Sequence, residues 1–415
     1  MRRDLGGEVD KFLLPDPPSA LGVAVSGGGD SMALLHLLHD FCQHHSIALR
    51  AVTVNHGLRP EAAEEVAFVA KTCASLNVTH SVLHWDEWDR QGNLQNEARK
   101  ARYRLITAWA KAHGVSHIAL GHTVDDQAET VLMRLARGSG VDGLTAMTPR
   151  RQVDGVTWMR PLLHVSRVEL RQELNARGLS WRDDPSNDDA GFERIKMRQA
   201  LDVLEPLGVD APALAQVAEN MARAREALNA HAAAAAKGIV SVEAGAFRID
   251  WQGFDALPEE TARRIFLRAL SWISGADYPP RSRAVLRLMA ALKAGDSGTL
   301  DGCRARRRDD SLWIYREYNP VRAVTCAVSG VWDNRWRVDA EKCPDQVHVG
   351  ALGEDGLRQV PDWRATGHMR EVLLATPAVW NGQVLVAAPL AGYTNGWRAT
   401  LVKDEKAYFA ALLSH

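Results

Sequence analysis

A glycine-rich loop constrains this chain more than any other stretch of its sequence; its residues are Ser26, Gly27, Gly28, Gly29, Asp30 and Ser31. An apolar run at 21–25 precedes the loop, and a segment with apolar residues at helical spacing follows it. A strand, a glycine turn and a helix direct several backbone N–H groups and the positive end of a helix at one point. The loop therefore predicts a phosphate site, in which the two serine hydroxyls add donors.

Asp30 is the one acidic residue of this loop. A carboxylate beside a phosphate is repelled unless a cation lies between them, so its presence indicates Mg²⁺. The loop is not the Walker pattern G-x-x-x-x-G-K-[ST], because no lysine follows the glycines. One alternative remains open, a plain glycine turn before a helix that Ser31 or Asp30 caps.

The composition of the 415-residue chain limits its class. A chain of this length is expected to form two or three domains. Lys and Arg total 50 against 51 Asp and Glu, which excludes a strongly basic protein that coats nucleic acid without specificity. The five cysteines form no C-x-x-C pair, which argues against a zinc ribbon or disulfide scaffold and predicts a reducing cytoplasm. No signal peptide or membrane-spanning run is visible, so no membrane partner is expected.

Predicted strands and helices alternate along the first third of the chain. Beyond the loop, strands are expected at 48–54, 79–84 and 115–120, and helices at 61–76, 93–113 and 125–137. This alternation predicts an α/β fold with a doubly wound, mostly parallel sheet, in which ligands bind beyond the carboxyl ends of the strands. The glycine loop, His56 and His122 each follow a predicted strand, so we expect all three at one edge of the sheet.

The rest of the chain predicts two further modules. A helix from about residue 212, helices at 258–274 and 281–293 and a hairpin at 298–315 indicate a helical connector, and the last hundred residues indicate a small β-containing domain. We therefore expect domains at 1–208, 209–320 and 321–415. The string at 138–143 matches the dinucleotide fingerprint G-x-G-x-x-G, but it follows a helix instead of a strand, so a Rossmann site is rejected.

Three carboxylates and a histidine gather after the strand predicted at 115–120. Asp126 and Glu129 are three residues apart and Asp125 and Glu129 four apart, so the acids crowd one side of a first helical turn. A capping box that starts at Thr123 explains one or two acids, each stabilising by ~0.3–1 kcal/mol. Three acids exceed that need, and their mutual repulsion requires a cation or an arginine nearby. This group is a candidate catalytic cluster, with His122 beside it.

Other polar residues are weaker candidates when each is taken alone. A lone histidine such as His56 or His122 is more often a satisfied core or surface group than a functional one. Arginine binds phosphate in a bidentate manner, although an arginine-rich helix face is equally a solvated surface. The candidates of this kind, with one tyrosine among them, are Arg99, Arg102, Tyr103, Arg134, Arg137, Arg194 and Arg198. The basic run at 304–308 is a candidate contact for an RNA backbone, and equally a solvated hairpin.

Seven strings in a fixed order extend these observations to a family resemblance. They are SGGGDS at 26–31, VNHGLR at 54–59, NEARKARYR at 96–104, LGHTVDDQAET at 120–130, RGSGVDGL at 137–144, RPLL at 160–163 and WRDDPSN at 181–187. Together they resemble the tRNA(Ile)-lysidine synthetases, a family of PP-loop ATP pyrophosphatases, across residues 22 to about 200. Thr123 departs from the pattern, because many members have a second histidine there, so no histidine role transfers to it.

The resemblance implies a cytoplasmic, ATP-dependent ligase that modifies the wobble cytidine of tRNA(Ile) with a CAU anticodon. In the implied reaction the base attacks the α-phosphate of ATP through its O2 atom, and pyrophosphate leaves. Free L-lysine then attacks C2 of the base and displaces AMP. The implied cofactors are ATP and Mg²⁺, and the implied partners are this tRNA and lysine. Whether the chain forms a homodimer is left open.

The same resemblance implies roles for residues that match the family motifs. The loop residues 26–31 would bind ATP. The implied catalytic residues are Asp126, Glu129, His122 and Arg198, with Asp30 and Asp126 as ligands of Mg²⁺. The residues implied to bind the tRNA substrate are His56, Arg99 and Tyr103.

Two alternatives share part of this pattern. PP-loop tRNA thiolases have the same loop, but they normally need paired cysteines or an iron–sulfur cluster, and no C-x-x-C is present. A tRNA-binding protein with a vestigial ATP site belongs to a different class. It would bind ATP without any tRNA-dependent release of pyrophosphate.

Overall fold

The computed structural model describes residues 3–57, 62–85, 94–183, 193–276, 279–344 and 346–413. The chain divides into two compact units, Met1–Arg225 and Glu226–His415. The boundary lies within one long helix, Ala211–Ile239, which begins in the first unit and ends in the second. The three-domain division at 208 and 320 stays a prediction.

The first unit is built on a six-stranded sheet. Its strands are β1 (Ala20–Ala24), β2 (Ala48–Asn55), β3 (Thr79–His84), β4 (His117–Ala119), β5 (Arg150–Val153) and β6 (Val156–Met159). They lie in the order β3-β2-β1-β4-β6-β5, and all neighbours are parallel except the β5–β6 hairpin at one edge. The predicted α/β fold with a mostly parallel sheet is therefore confirmed.

Helices cover both faces of this sheet because successive strand residues point to opposite sides. The helices are α1 (Leu5–Leu13), α2 (Gly29–His45), α3 (Ala62–Ser75), α4 (Leu94–Ala112), α5 (Val124–Ala136), α6 (Val141–Leu144), α7 (Arg167–Ala176), α8 (Glu193–Leu204) and α9 (Ala211–Ile239). Ala51 and Met159 face the core that α1, α2 and α7 build. Their chain neighbours Val52 and Trp158 face the opposite core, which includes Ile106 of α4.

The middle of the sheet contains the topological switch point. β1 lies between β2 and β4, so the chain leaves it for one side of the sheet and later returns on the other. Ligands bind at such a point because the loops after the two neighbouring strands diverge and leave a crevice. The glycine loop follows β1, His56 follows β2, and Gly121 and His122 follow β4, as the sequence predicts.

The second unit contains a five-stranded antiparallel sheet that the sequence predicts only in part. Its strands are β7 (Val240–Glu243), β8 (Ala246–Asp250), β9 (Gly298–Leu300), β10 (Cys303–Arg308) and β11 (Ser311–Arg316), in the order β7-β8-β11-β10-β9. The hairpin at 298–315 supplies three of them, whereas β7 and β8 were not anticipated in the connector. The helices of this part are α10 (Trp251–Asp255), α11 (Glu259–Ser274) and α12 (Ser282–Lys293).

The remaining part of the second unit has antiparallel strands and short helices, in agreement with the expected β-containing domain. A four-stranded sheet comprises β12 (Thr325–Cys326), β14 (His348–Ala351), β15 (Pro377–Asn381) and β16 (Val384–Ala387), and β13 (Trp336–Ala340) pairs with β17 (Trp397–Leu401). The helices are α13 (Tyr318–Val321), α14 (Gly353–Arg358), α15 (Arg370–Leu374) and α16 (Glu405–Leu413). No helix within the described residues has the length and hydropathy needed to cross a bilayer.

The basic run at 304–308 lies on β10, where part of its charge is used within the unit. Arg306 Nη1 lies 2.9 Å from Glu371 Oε1, and the Arg307 guanidinium carbon lies 4.1 Å from the ring centroid of Trp251. These contacts favour a structural role for two of its members. Contact of this run with RNA stays a prediction.

Gly121 has no room for a side chain, because the chain leaving β4 crosses the glycine loop there. A Cβ atom at this position would lie 2.9 Å from the backbone oxygen of Asp30. We predict that Gly121→Ala lowers the free energy of unfolding by about 1–3 kcal/mol, since a backbone segment must shift. Gly238→Ala is the matched control, because its Cβ would meet nothing within 4 Å and alanine favours a helix. Urea unfolding measures both, and a Gly121→Ala protein as stable as the parent would contradict the packing.

Candidate active site

A cavity of about 830 Å³ lies at the carboxyl ends of β1, β2 and β4. This volume falls within the range of small-molecule sites in proteins. The cavity brings together nearly all of the predicted site residues, namely Ser26, Gly28, Gly29, Asp30, Ser31, His56, Arg99, Tyr103, His122, Asp126, Glu129 and Arg198. Gly27 does not line it, and its φ of +91° places it in the left-handed region, where glycine is favoured.

The glycine loop leaves the start of α2 without a side-chain cap. Gly28 is the N-cap residue and no side chain hydrogen-bonds the first turn, so the alternative in which Ser31 or Asp30 caps the helix is wrong. Ser31 instead closes the loop, because its hydroxyl donates to the Gly28 oxygen at 2.9 Å and accepts from Ser26 N at 3.1 Å. The first N–H groups of α2 stay available to an anion.

The segment that follows α7 packs against the glycine loop and stabilises it. Arg182 N donates to the oxygen of Gly27 at 3.0 Å, and the Trp181 ring lies against Gly29. The rest of the WRDDPSN string, from 184 onward, lies outside the described residues, as do Leu58 and Arg59 of VNHGLR.

The predicted capping box at the start of α5 is confirmed. Asp126 Oδ2 accepts hydrogen bonds from the backbone N and the Oγ1 of Thr123, at 2.9 and 3.0 Å, and Asp126 N donates to Thr123 Oγ1. Capping uses only one oxygen of Asp126, so Oδ1 is left for another partner. Asp125 accepts from the backbone N of Arg167 at 2.9 Å, which anchors the start of α7.

One arginine, Arg167, binds three carboxylates around the cavity. Its Nη2 donates to Asp126 Oδ1 at 2.7 Å, its Nη1 to Glu129 Oε1 at 2.7 Å and its Nε to Asp30 Oδ2 at 3.3 Å. Sequence reasoning missed this residue individually, although the crowded acids indicated that a cation or an arginine is required. Arg167 is the first residue of α7, and no local sequence pattern links it to these acids.

Burial and Arg167 set the protonation of this cluster. Burial raises the pKa of Asp30 to about 6; the attraction of Arg167 limits this rise, and Asp126 adds to it. Burial is the largest effect and opposes ionisation of Asp126, but Arg167, Arg194 and the hydrogen bond from the Thr123 backbone act against it, and with the other neighbouring groups they lower the pKa of this carboxyl group. The pKa of Arg167 is raised, because its carboxylate partners outweigh the effect of burial. Asp126 and Arg167 are therefore both charged at neutral pH.

Glu129 has one saturated oxygen and one unpaired oxygen. The side chain is fully buried, and Oε1 accepts from Arg167 and from Arg198, whose Nη2 lies at 3.1 Å. Oε2 is buried without a hydrogen-bond partner. A buried acceptor without a donor is costly, so this oxygen is a candidate acceptor for a substrate group.

His122 is held as a neutral hydrogen-bond donor. Burial, with Arg160 adding to it and Asp126 opposing it, lowers the pKa of His122 to about 3. Arg160 Nε donates to His122 Nδ1 at 3.2 Å, so the ring proton is on Nε2, on the other side of the ring. Arg160 is buried and also donates to the oxygen of Thr148 at 2.8 Å. Sequence reasoning assigned no role to Arg160, although the RPLL string contains it.

His56 is also neutral, and one of its ring nitrogens is unpaired. Burial and Arg102 lower the pKa of His56 to about 4. Arg102 Nη2 lies 3.3 Å from Nε2, so Nδ1 carries the proton and is buried without a partner. Trp85 meets the ring edge-on, with 5.6 Å between centroids, and fixes its plane.

Aromatic and basic groups form the α4 wall of the cavity. The Tyr103 ring lies 4.4 Å from that of Trp158, and the Arg99 guanidinium carbon lies 5.3 Å from the Tyr103 centroid. The arginines that line the cavity are Arg99, Arg102, Arg167, Arg171, Arg182, Arg194 and Arg198, against five carboxylates. Arg134 and Arg137 lie outside it and are exposed. The excess of cationic side chains suits a polyanionic substrate.

The chain is similar in sequence to proteins of one family. A family model described as a PP-loop domain matches residues 1–204. A tRNA(Ile)-lysidine synthase of Ruegeria pomeroyi is 48% identical over 100% of this chain and 98% of its own length. One of Wolbachia pipientis is 36% identical over 76% of each chain. A solved U34-tRNA thiolase of Methanococcus maripaludis is 20% identical over 52% of this chain and 77% of its own, and its TM-score of 0.46 supports no conclusion.

The depressed pKa of His122 predicts a specific pH dependence of stability. An unfolded histidine takes up a proton below about pH 6.5, whereas folded His122 does so only near pH 3. Stability is therefore lost as pH falls across this window, by up to about 1.4 kcal/mol per pH unit for this residue. We predict that His122→Asn flattens the plot of unfolding free energy against pH between 4.5 and 6 by this amount. An unchanged slope in urea unfolding would contradict a buried neutral imidazole.

Substitution of Asp30 should have the opposite effect on the pH dependence of stability. Its raised pKa makes the folded chain hold a proton that the unfolded chain has lost between about pH 4 and 6. Stability from this group falls as pH rises through the window, so Asp30→Asn should steepen the same slope. A flatter slope in this variant would contradict the burial of Asp30.

Proposed function

Because the chain belongs to the tRNA(Ile)-lysidine synthase family of PP-loop proteins, we propose that its cavity joins free L-lysine to C2 of the wobble cytidine of a tRNA(Ile) with a CAU anticodon. It is a ligase-type, ATP-using enzyme of tRNA modification. One observation carries the finer proposal: the uncapped start of α2 and Glu129, a buried residue with an unpaired carboxylate oxygen, line the same cavity. An anion and an ammonium group can therefore be held side by side.

In the first proposed step, ATP binds with its phosphates against the N–H groups of the glycine loop. The O2 atom of the cytosine attacks the α-phosphorus, and the bond to the β-phosphate oxygen breaks, so pyrophosphate leaves. The first turn of α2 and the cavity arginines stabilise the negative charge on the phosphates. His122 Nε2–H is a neutral donor that can orient the base or a phosphate oxygen without repelling other cations.

Asp30 and Asp126 are the proposed ligands of Mg²⁺. Their donor atoms are carboxylate oxygens, which Mg²⁺ prefers, and Mg²⁺ typically takes one or two carboxylates together with phosphates and water. The described residues contain no group of three or more acidic, histidine or cysteine side chains arranged for a metal, which agrees with this small contribution from the protein. When bound, the ion neutralises phosphate charge.

In the second proposed step, the ε-amine of lysine attacks C2 of the adenylated cytosine. The C2–O bond breaks, and AMP leaves with the former base oxygen. Glu129 Oε2 accepts a hydrogen bond from the lysine ammonium group and takes up the proton that the nitrogen loses before it attacks, so the free amine lies beside the reacting carbon. Arg198 keeps the other carboxylate oxygen fixed through two contacts.

The tRNA contributes a base that leaves the anticodon loop to enter the cavity. Single-stranded loops allow this at low cost, and flipped bases commonly stack on aromatic or guanidinium groups. Tyr103 and Arg99 present such groups, and His56, which lines the same cavity, has an unpaired N–H donor. All five cysteines are free, and the reducing cytoplasm expected from the sequence stays a proposal.

The alternatives have less support. A thiolase places a cysteine or a cluster at its reacting centre, whereas none of the described residues that line the cavity is a cysteine. A vestigial site would not need the paired carboxylates and the neutral histidines that surround this one.

A direct assay tests the proposed function. Purified protein with ATP, Mg²⁺, labelled lysine and a tRNA(Ile) transcript with a CAU anticodon should incorporate label into RNA, with AMP and pyrophosphate as products. A matched transcript with uridine at the wobble position should stay unlabelled, because it offers no cytosine. Consumption of ATP without label in the CAU transcript would contradict the proposal.

Glu129→Gln separates the two steps. The amide keeps an oxygen for Arg167 and Arg198 but loses the negative charge for lysine, so we predict that the KM for lysine rises by about tenfold or more. Pyrophosphate release with tRNA and no lysine should stay within about threefold of the parent, because the loop is intact. Glu193→Gln is the control, since this exposed residue pairs with Arg137 outside the cavity. If lysine transfer and pyrophosphate release fell by the same factor, the assignment of Glu129 to the lysine site would be contradicted.

A further inference from the structure

Arg167 has a position that the proposed reaction does not explain. Its guanidinium fills the space between Asp30, Asp126 and Glu129, the same carboxylates that are assigned to Mg²⁺ and to the lysine ammonium. It donates to Asp126 Oδ1 at 2.7 Å and to Asp30 Oδ2 at 3.3 Å, so it competes with an incoming Mg²⁺ for these oxygens. The Glu129 oxygen that is assigned to the lysine ammonium, Oε2, is not one of its partners. Mg²⁺ and this guanidinium therefore cannot both be fully coordinated by Asp30 and Asp126.

Two of the three carboxylates have other partners that would hold them if the guanidinium left. Thr123 holds Asp126 through Oδ2, and Arg198 holds Glu129 through Oε1. Asp30 differs, because within the described part of the chain Arg167 is the one hydrogen-bond donor to its carboxylate. A cation that takes the place of the guanidinium would therefore restore a partner to Asp30 and leave the other two in position.

The backbone of Arg167 is anchored independently of its side chain. Ser166 and Glu169 form a capping box at the start of α7, and Asp125 accepts the Arg167 N–H at 2.9 Å. The side chain is one-fifth exposed to the cavity. Rotation about its side-chain bonds can therefore move the guanidinium without disturbing the helix. Asp30 belongs to the glycine loop, so the group already lies beside the region proposed for the phosphates.

We propose that the Arg167 guanidinium takes the place of Mg²⁺ in the free enzyme, and turns from the carboxylates to the phosphates of ATP when Mg²⁺ and ATP bind. The inference rests on the proposed function, because that function supplies both the Mg²⁺ ion and the triphosphate. Arg167 is then a catalytic residue of the first step, as it contacts the phosphates while pyrophosphate leaves. In the free enzyme it keeps three like charges from repelling one another.

Cation binding to the protein alone tests the first half of this proposal. Mn²⁺ is the probe, because it also binds carboxylate oxygens and its free concentration can be read by electron paramagnetic resonance. Without ATP, tRNA or lysine, Arg167→Met should bind one Mn²⁺ about tenfold more tightly than the parent chain, since a competing positive charge is removed. Adding Asp30→Asn to this variant should abolish the gain in Mn²⁺ affinity, which would show that the ion binds at the carboxylates around Arg167.

Arg171→Met is the matched electrostatic control. Arg171 is also on α7 and also lines the cavity, but its partner is Asp183 at 2.8 Å and not the cluster. Its removal should change Mn²⁺ affinity by no more than about twofold. An equal gain in both variants would overturn the proposal, because the effect would then come from the overall charge of the cavity. A folded Arg167→Met chain without any gain would overturn it as well.

Arg167→Lys keeps the proposal testable if the methionine variant does not fold. Lysine retains a charge but cannot bridge three carboxylates, so a gain of about threefold in Mn²⁺ affinity is expected. If neither variant gives a folded chain by circular dichroism, Arg167 is a permanent structural contact and the proposal is wrong.

Pyrophosphate release tests the second half. Arg167→Met should lower tRNA-dependent release by about tenfold or more although it binds the cation more tightly. Unchanged release would show that the guanidinium does not serve the phosphates. The Mn²⁺ measurement involves no tRNA or lysine, so its outcome is independent of failure of the lysine-transfer assay.

Discussion

Three carboxylates from separate parts of the chain converge on one largely buried point, and the Arg167 guanidinium is the cation that holds them together there. The three acids come from two elements, since Asp30 is in the loop that begins α2 and Asp126 and Glu129 are on α5. Arg167 adds α7 to the same contact, and Arg198 adds α8. The electrostatics of the site therefore also determine how four helices meet above the switch point of the sheet.

The unpaired atoms around this cluster are as informative as the paired ones. Buried polar atoms are nearly always hydrogen-bonded in folded proteins. Here Glu129 Oε2 and His56 Nδ1 are buried without partners, and both residues line the cavity, as does the uncapped start of α2. The free energy lost at such atoms is recovered when a substrate supplies the missing donors and acceptors. The Glu129 oxygen could accept from an ammonium group, the His56 N–H could donate to a base, and the start of α2 could bind the phosphates of ATP.

The sequence predicts much of this arrangement because its signals are local. A loop of glycines after a strand, a capping box at Thr123 and histidines that follow strands are recognisable within a few residues. Arg167 and Arg160 are different, because Arg167 meets Asp30 from 137 positions away and Arg160 meets His122 from 38. No pattern in the chain specifies such pairs. The strands at 240–250 were missed for a related reason, since they are four and five residues long and follow an alanine-rich helix.

The position of ATP relative to the glycine loop is the central claim. The most direct measurement is a crystal structure of the full chain with Mg²⁺ and the non-hydrolysable analogue of ATP that has a methylene group between its α- and β-phosphorus atoms. We expect the phosphates to lie against the N–H groups of Gly28 to Ser31, with the α-phosphate facing Asp126 and His122. A nucleotide bound outside this cavity, or with its phosphates directed away from the start of α2, would contradict it.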